Sequence, residues 1–439
     1  MHEVRDDCKK RVPDGANDPP PNVGIIVTSY GSGAEAGTNL GTAGYSYDFV
    51  LELFVPLLER YGKVVPVQNS NANLVEAAQA LSAEGLKPIH LSFLPFQDVT
   101  ICDLIPNVVV PAWEFPDVPD HEFDGNPQND WPATAARCDM ILAGGPFTKV
   151  SLRKGGIRIP IRIVQIPTRD GYFELPPWAP DSLKQIQCPC RVYPYDGVTI
   201  PVLPPALVSK LDPPVRPLRL FTRSLERSLK HCVTTFFGES FYRRTSDRMK
   251  ERRQEKSAPQ RQIAKNLLVT NYPNVELSGI VYTSIFNPND GRKNWADLLT
   301  AFLIALGDCE DATLIIKLVS SNPDAIYRIV NYYEKRDIPH RCKVVFISDF
   351  LTNDQMIQLT EASTYYFQTT KAEGNCLPLM NFIAAGRPGV SPNHTAIADY
   401  FDDEIGFVIE SHPEPAAWPH DRQLRLRTGM SRALLNSAG

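Results

Sequence analysis

At 439 residues the chain is longer than one ordinary hydrophobic core supports, so its length predicts two domains with connecting segments. A formal net charge of −5 and a hydrophobic content of 43% are typical of a soluble globular protein. No apolar run reaches the roughly 18 to 20 residues that span a bilayer. The nine cysteines include no CxxC pair, which argues against a structural zinc site and predicts reduced thiols in a cytoplasmic protein.

The first half of the chain alternates between short apolar strands and helices. Residues 1–21 are charged and then rich in proline, so we expect a disordered lead-in there and not a signal peptide. From 22 to 205 the alternation predicts a Rossmann-like domain with a parallel sheet. Its predicted strands are 22–30, 64–67, 89–93, 108–111, 138–142 and 157–167, and its predicted helices are 45–60 and 72–83.

A glycine-rich loop follows the first predicted strand. Its first part, Gly31-Ser-Gly33-Ala-Glu-Ala-Gly37, comes near the dinucleotide-binding fingerprint but has one residue too many before the last glycine. A flexible loop at the mouth of a cleft explains these glycines better than a NAD site does. A NAD-dependent oxidoreductase stays an alternative, and it predicts nicotinamide binding.

Two interpretations stay open for Trp113 and Glu114, which follow the strand predicted at 108–111. Ligand-facing groups lie at the carboxyl ends of strands in open α/β sheets, so Glu114 is a candidate site residue. Alternatively, Trp113 packs in the core and Glu114 is a solvated loop acid. The sequence alone favours neither interpretation.

The segment 216–265 differs in charge from the rest of the chain, because it carries 14 Lys and Arg against 5 Asp and Glu. The interpretation that we favour is a solvated helical insert or linker, with boundaries at 206–268. A basic amphipathic segment also suits an anionic membrane surface, so peripheral membrane contact is a second interpretation. Nucleic-acid binding is not expected, because no recognised module accompanies the charge.

A second α/β domain is predicted from 269 to 415, with strands at 280–286, 313–319, 343–347 and 364–368 and helices at 296–306, 323–334 and 353–362. In the turn after its first strand, Arg292 and Lys293 lie beside a helix start. Arg binds two oxygens at once and Lys is a compact charge, so the pair suits a diphosphate. Solvated turn residues are the alternative.

The stretch 371–388 reads Lys-Ala-Glu-Gly-Asn-Cys-Leu-Pro-Leu-Met-Asn-Phe-Ile-Ala-Ala-Gly-Arg-Pro. It follows a predicted strand and leads into a helix-like segment closed by Gly386. Such a junction directs unpaired N–H groups and the positive end of a helix dipole at one place, which suits a phosphate. Glu373 is better suited to accept hydrogen bonds from hydroxyls. Phosphate on the amides and sugar hydroxyls on the carboxylate together describe a nucleotide sugar.

These features resemble the retaining glycosyltransferases of family 4. The resemblance covers 275–409 and rests on the turn 287–294, the strand end at Thr370, and Glu373 to Asn381 followed by Ala-Ala-Gly-Arg-Pro at 384–388. It implies the GT-B architecture, in which two facing Rossmann-like domains with parallel sheets enclose an interdomain cleft. It also implies retention of configuration at the sugar.

The resemblance implies site residues position by position. Arg292 and Lys293 match the donor diphosphate clamp, and Glu373 matches the residue that meets the donor sugar. Asn381 stands where the family has a second acid for the ribose, so an amide replaces a charge there. The predicted site comprises Glu373 and Glu114 as catalytic residues, and Arg292, Lys293, Gly374, Asn375, Cys376, Leu377, Asn381, Gly31 and Gly33 as donor-binding residues.

The sequence therefore predicts a hexosyltransferase-like enzyme that moves a sugar from a nucleotide-diphosphate sugar to a hydroxyl of a glycan, a lipid-linked acceptor or a small molecule, as in polysaccharide biosynthesis. We expect no cofactor and no metal, because no Asp-x-Asp motif ends a strand and two cations suit the diphosphate. The alternative is a degenerate GT-B protein that binds a nucleotide sugar or a partner without turnover. The short basic tail at 416–439 favours this alternative, since GT-B proteins usually end in a helix that crosses back onto the first domain.

Overall fold

The computed structural model describes residues 22–31, 40–180, 184–186, 191–193, 275–277, 279–320, 322–348, 350–417 and 427–433. The lead-in at 1–21, Gly33 and the basic segment 216–265 lie outside these residues, so what we predict for them stays a prediction. Within the described part of the chain, no helix combines the length and the apolar character that crossing a bilayer requires.

Strands and helices alternate along the described chain, close to the predicted bounds. The strands are β1 (Val23–Thr28), β2 (Lys63–Pro66), β3 (Lys87–Ser92), β4 (Asn107–Val109), β5 (Met140–Ala143), β6 (Ile161–Ile163), β7 (Lys184–Ile186), β8 (Arg191–Tyr193), β9 (Val275–Leu277), β10 (Ile280–Phe286), β11 (Ala312–Leu318), β12 (Lys343–Ile347), β13 (Tyr365–Phe367), β14 (Gly389–Pro392), β15 (Gly406–Ile409), β16 (Ser411–Ala417) and β17 (Arg427–Ala433). The α-helices are α1 (Ala43–Leu58), α2 (Asn71–Ala83), α3 (Trp131–Ala135), α4 (Pro146–Lys154), α5 (Asp170–Phe173), α6 (Trp295–Leu306), α7 (Pro323–Arg336), α8 (Asn353–Ala362) and α9 (Leu377–Ala384).

The chain divides into two compact units. Unit 1 comprises Met1–Ala179, Asp290–Leu298 and Thr364–Gly439, and unit 2 comprises Pro180–Asn289 and Leu299–Ser363. Two stretches of the predicted second domain therefore group with the first sheet. These stretches carry Arg292, Lys293 and Glu373, so unit 1 contains these three residues together with Glu114.

The first sheet lies in unit 1 and has the order β2-β1-β3-β4-β5-β6, with every neighbouring pair parallel. Its central strands are apolar runs, as expected for a parallel sheet that is covered on both faces. In β1, Ile25 and Val27 join one core cluster and Ile26 joins another, because successive side chains point to opposite faces. None of the three is more than 3% exposed.

The last strand of this sheet is shorter than predicted. It covers Ile161–Ile163 and not 157–167. Pro160 and Pro167 have no N–H to donate to a neighbouring strand, so they confine the strand to the residues between them. Ile157 packs instead in the core cluster that contains Trp131.

Unit 1 also contains the parallel strands β13, β14 and β15, with β14 in the middle, and the antiparallel pair β16 and β17. Leu377 and Asn381 lie on α9, and the other predicted site residues that the structure describes lie in segments that follow the carboxyl ends of strands. Residues 110–114 follow β4, residues 144–145 follow β5, and residues 368–376 follow β13. This is the end of a parallel sheet at which ligands bind in open α/β folds.

In unit 2, the strands β10, β11 and β12 run parallel, with β8 antiparallel to β12, and β7 and β9 form an antiparallel pair. Strand β11 is buried along its whole length. Parallel strands joined by helices in both sheets confirm the predicted α/β class with two Rossmann-like domains. The facing arrangement of the domains and the cleft between them stay predictions.

Candidate functional site

Trp113 and Glu114 are neighbours in sequence, but their side chains lie in different environments. The indole of Trp113 is 5% exposed, and its centroid lies 4.5 Å from that of Trp131 and 5.3 Å from the ring of Phe115. Trp113 is therefore a core residue. The side chain of Glu114 is only 23% exposed, and its Oε1 lies 3.1 Å from Nε of Arg292. Glu114 is therefore not a solvated loop acid.

The turn that carries the two cations is shaped by its own side chains. Asp290 accepts a hydrogen bond from the backbone N–H of Arg292 (3.2 Å), and Gly291–Lys293 form one turn of 3-10 helix. Asn294 follows in the left-handed region, with φ of 51°. The carbonyl of Arg292 accepts from the N–H of Lys371 (2.7 Å), which fixes this turn against the segment after β13.

Arg292 is the centre of the contacts. Its Nε lies 3.1 Å from Oε1 of Glu114 and 3.0 Å from Oδ2 of Asp290. Its Nη1 donates to Oε2 of Glu373 (2.9 Å) and to the carbonyl of Ala372 (2.7 Å). The side chain of Arg292 is 15% exposed. One largely buried guanidinium thus joins three carboxylates from three separate loops.

Glu373 is held by both cations and by its own backbone. Its Oε1 accepts from Nζ of Lys293 (2.5 Å), while its Oε2 accepts from Arg292. Its backbone N–H donates to Oγ1 of Thr395 (3.0 Å), and its carbonyl accepts from the N–H of Ala396 (3.2 Å). With a side chain only 4% exposed, Glu373 has one defined orientation.

We call these five residues the charge cluster; they are Glu114, Asp290, Arg292, Lys293 and Glu373. Burial acts to raise the pKa of Glu373, but Lys293 and Arg292 outweigh it and lower that pKa to about 2. The pKa of Glu114 is raised, because burial outweighs the attraction of Arg292. Glu373 is therefore ionised at neutral pH, and Glu114 is more easily protonated than Glu373.

The start of α9 packs closely on the first sheet's loops. Cys376 precedes the helix in the left-handed region (φ 57°), and no side chain caps the helix. A Cβ at Gly374 would lie 3.2 Å from the carbonyl oxygen of Trp113, a tight contact that glycine avoids. The carbonyl of Asn375 accepts from the hydroxyl of Tyr400 (2.6 Å). The uncapped helix start is compatible with the predicted role of residues 374–377, which stays a prediction.

The side chains of Leu377 and Asn381 lie near residues outside the charge cluster. Leu377 packs against the apolar cluster that contains Val110 and Ile166. Asn381, one turn further along α9, lies near the side chain of Tyr172 and acts to lower its pKa, although burial raises that pKa overall. The contact of Asn381 with a ribose stays a prediction.

Gly31 allows a close approach to Asp48, and its backbone N–H is already hydrogen-bonded. Its N–H donates to Oδ1 of Asp48 (2.8 Å), and a Cβ at this position would lie 2.5 Å from the other carboxylate oxygen. Its neighbour Tyr30 donates to the carboxylate of Asp98. Because the N–H of Gly31 is engaged, a phosphate would have to displace Asp48 to reach it.

Sequence reasoning missed the segment 394–400, which follows β14. Thr395 and Ala396 hold the backbone of Glu373, and Tyr400 holds that of Asn375. Asp399 accepts from the N–H of Phe147 at the start of α4 (3.0 Å). The available signal was a histidine and a threonine shortly after a strand end, at His394 and Thr395.

A separate surface cavity of about 410 Å³ lies near the other end of α9. It is lined by Leu175, Pro177, Trp178, Thr364, Tyr365, Ala384, Ala385, Gly386 and Pro388. None of these residues is charged, so the cavity offers no group for the predicted chemistry.

Comparison with known proteins gives a likeness of structure without a likeness of sequence. No protein-family model matches the chain, and no curated protein sequence matches it either. HepE of Anabaena, solved with UDP and glucose, is 12% identical with a TM-score of 0.45, covering 88% of this chain and 85% of that one. Sucrose-phosphate synthase of Thermosynechococcus elongatus is 11% identical with a TM-score of 0.49, covering 88% and 86%. The C-terminal domain of a glycosyl transferase group 1 family protein of Francisella tularensis is 16% identical with a TM-score of 0.26, covering 30% and 69%.

Proposed function

We propose that this chain is a glycosyltransferase that moves a sugar from a nucleotide-diphosphate sugar to an acceptor hydroxyl, with retention and without a metal ion. One observation carries the proposal. Glu373, almost fully buried, fixes Arg292 and Lys293 side by side, and it lies four residues before an uncapped helix start. Two ordered cations beside an uncapped helix start suit a diphosphate.

The cations retain hydrogens for a ligand while they hold Glu373. The contacts of Arg292 with described residues engage Nε and Nη1, which leaves the two N–H groups of Nη2 for an incoming oxygen. Lys293 uses one of its three N–H groups on Glu373. A diphosphate can therefore be bound without opening the ion pairs.

The chemistry follows from the charges. Breaking the anomeric bond adds negative charge to the leaving diphosphate, and cations that are already oriented stabilise that charge without reorganising. Glu373 stays ionised, so it accepts hydrogen bonds from sugar hydroxyls and does not act as a general acid. Glu114 orients the guanidinium of Arg292 from the opposite side through Nε.

Binding without turnover is the second candidate, and one observation favours it. Three carboxylates surround two cations in the charge cluster, so its net charge is −1 when all five groups are ionised. That charge opposes a diphosphate, and the neutral Asn381 adds no compensation. The NAD-dependent alternative has no such support, because the N–H of Gly31 is bonded to Asp48.

The test is the release of nucleoside diphosphate from a panel of nucleotide sugars, with and without simple sugar acceptors. We expect release with one donor, and faster release when an acceptor is present. The matched control is Glu404→Gln, a change of an exposed acid in the same unit, which should leave the rate unchanged. Tight binding of a donor with no release would establish the second candidate, and neither binding nor release would contradict both.

A further inference from the structure

The ring nitrogens of His394 are shielded from solvent, although the residue as a whole is partly exposed. Neither Nδ1 nor Nε2 has a hydrogen-bond partner among the residues that the structure describes. A buried polar atom without a partner is destabilising, and native proteins rarely leave one. His394 therefore requires an explanation that the described part of the chain does not supply.

A fully buried histidine of unit 1 shows what a structural histidine looks like in this fold. His90 lies in β3, and its Nε2 is 2.9 Å from Oγ1 of Thr28 while its Nδ1 is 3.1 Å from Oδ1 of Asn107. Both ring nitrogens of His90 are satisfied by neighbouring strands. The contrast indicates that the unpaired ring of His394 serves something other than packing.

His394 is connected to the candidate site through the next residue, Thr395, which contacts Glu373. Thr395 has φ of 53°, which is strained for a β-branched residue, and its Oγ1 accepts from the N–H of Glu373. The N–H of Ala396 donates to the carbonyl of Glu373 (3.2 Å), so two residues that follow His394 directly are bonded to the backbone of Glu373. His394 thus lies on the segment that holds the residue proposed to meet the donor sugar.

The protonation state of His394 limits the kind of ligand it fits. Burial lowers its pKa to about 4, with Glu373 acting in the opposite direction, so the ring is neutral at pH 7. A neutral imidazole has one donor and one acceptor and brings no charge for a phosphate. A hydroxyl both donates and accepts, so it matches either ring nitrogen.

We propose, on the basis of the function proposed above, that His394 binds a hydroxyl of the donor sugar next to the hydroxyl bound by Glu373. Two acceptors side by side, one charged and one neutral, suit two hydroxyls on adjacent carbons of a sugar ring. His394 then helps to determine which sugar is accepted. It makes no contribution to binding of the nucleoside diphosphate, which the two cations hold.

The experiment compares His394→Leu and His394→Asn with the wild type by calorimetric titration with UDP, UDP-glucose, GDP and GDP-mannose. We expect both variants to bind the nucleoside diphosphate within about twofold of the wild type, and to lose about tenfold in affinity for the matching nucleotide sugar. The control is His121→Asn, because that side chain is 43% exposed. It should change neither affinity.

A second measurement uses no ligand. If the ring is kept for a sugar, His394→Leu removes an unpaired polar group from the free protein and raises its thermal midpoint. Equal affinities of variant and wild type for the nucleotide sugar, or a lowered midpoint in the leucine variant, would overturn the role of His394 and leave the proposed function standing. A wild type that binds none of the four probes would instead contradict the proposed function itself.

Discussion

Replacing Arg292 by alanine lowers the free energy of unfolding by about 3 to 5 kcal/mol. The guanidinium contacts Glu114, Asp290 and Glu373, and its side chain is only 15% exposed. Without it, three partly or fully buried carboxylates face one another with Lys293 as the remaining cation of the charge cluster. Urea denaturation followed by circular dichroism at neutral pH measures the loss.

The control for this prediction is Arg341→Ala. Arg341 and Glu310 are 3.2 Å apart but 53% and 73% exposed, so water screens the pair and its loss should cost less than about 1 kcal/mol. The double variant Arg292→Ala with Glu114→Gln should recover part of the stability, because one uncompensated charge is removed. Equal losses in Arg292→Ala and Arg341→Ala would show that the charge cluster is not buried as described.

Replacing Glu373 by glutamine lowers turnover of the nucleotide sugar about 100-fold or more. The amide has the size of the carboxylate but carries no charge to attract Arg292 and Lys293, so both cations lose the orientation on which the proposed diphosphate site depends. It also accepts sugar hydroxyls less strongly. The measurement is kcat and KM for the donor that turns over in the panel, on protein whose folding is checked by circular dichroism.

Glu404→Gln makes the same chemical change on an exposed residue and should keep wild-type kinetics. Glu373→Gln should also have a lower free energy of unfolding than the wild type, because the carboxylate of Glu373 bonds to both cations. Normal kcat and KM in a folded Glu373→Gln variant would remove Glu373 from the site.

Periodicity predicts the elements of this fold because it reports which side of each strand or helix is buried. The run at Ile25 to Val27 gives a covered strand, and the apolar spacing of α1 gives a helix against it. Periodicity does not report which loops meet. Glu114 and Arg292 lie far apart in sequence, and only the fold brings them within 3.1 Å.

The sequence predicts those residues of the candidate site whose type and position next to a strand end or a helix start indicate a role. Glu373, Arg292 and Lys293 were identifiable from a strand end and a helix start, and the structure brings them together. That Tyr172 lies near Asn381 was not predictable, because Tyr172 lies on a helix of only four residues. His394 was missed because its evidence is the absence of hydrogen bonds to described residues, which no sequence pattern displays.

The most direct test of the site is the thermal stability of the wild type and of Lys293→Ala in a panel of nucleoside diphosphates. Lys293 has one contact in the charge cluster, so its removal leaves Glu373 paired with Arg292. A ligand at about 100 times its dissociation constant stabilises a protein by about 2.7 kcal/mol. We expect one diphosphate to raise the midpoint of the wild type selectively and to raise that of Lys293→Ala much less. No response to any diphosphate, or an equal response in both proteins, would contradict the assignment of the charge cluster as the donor site.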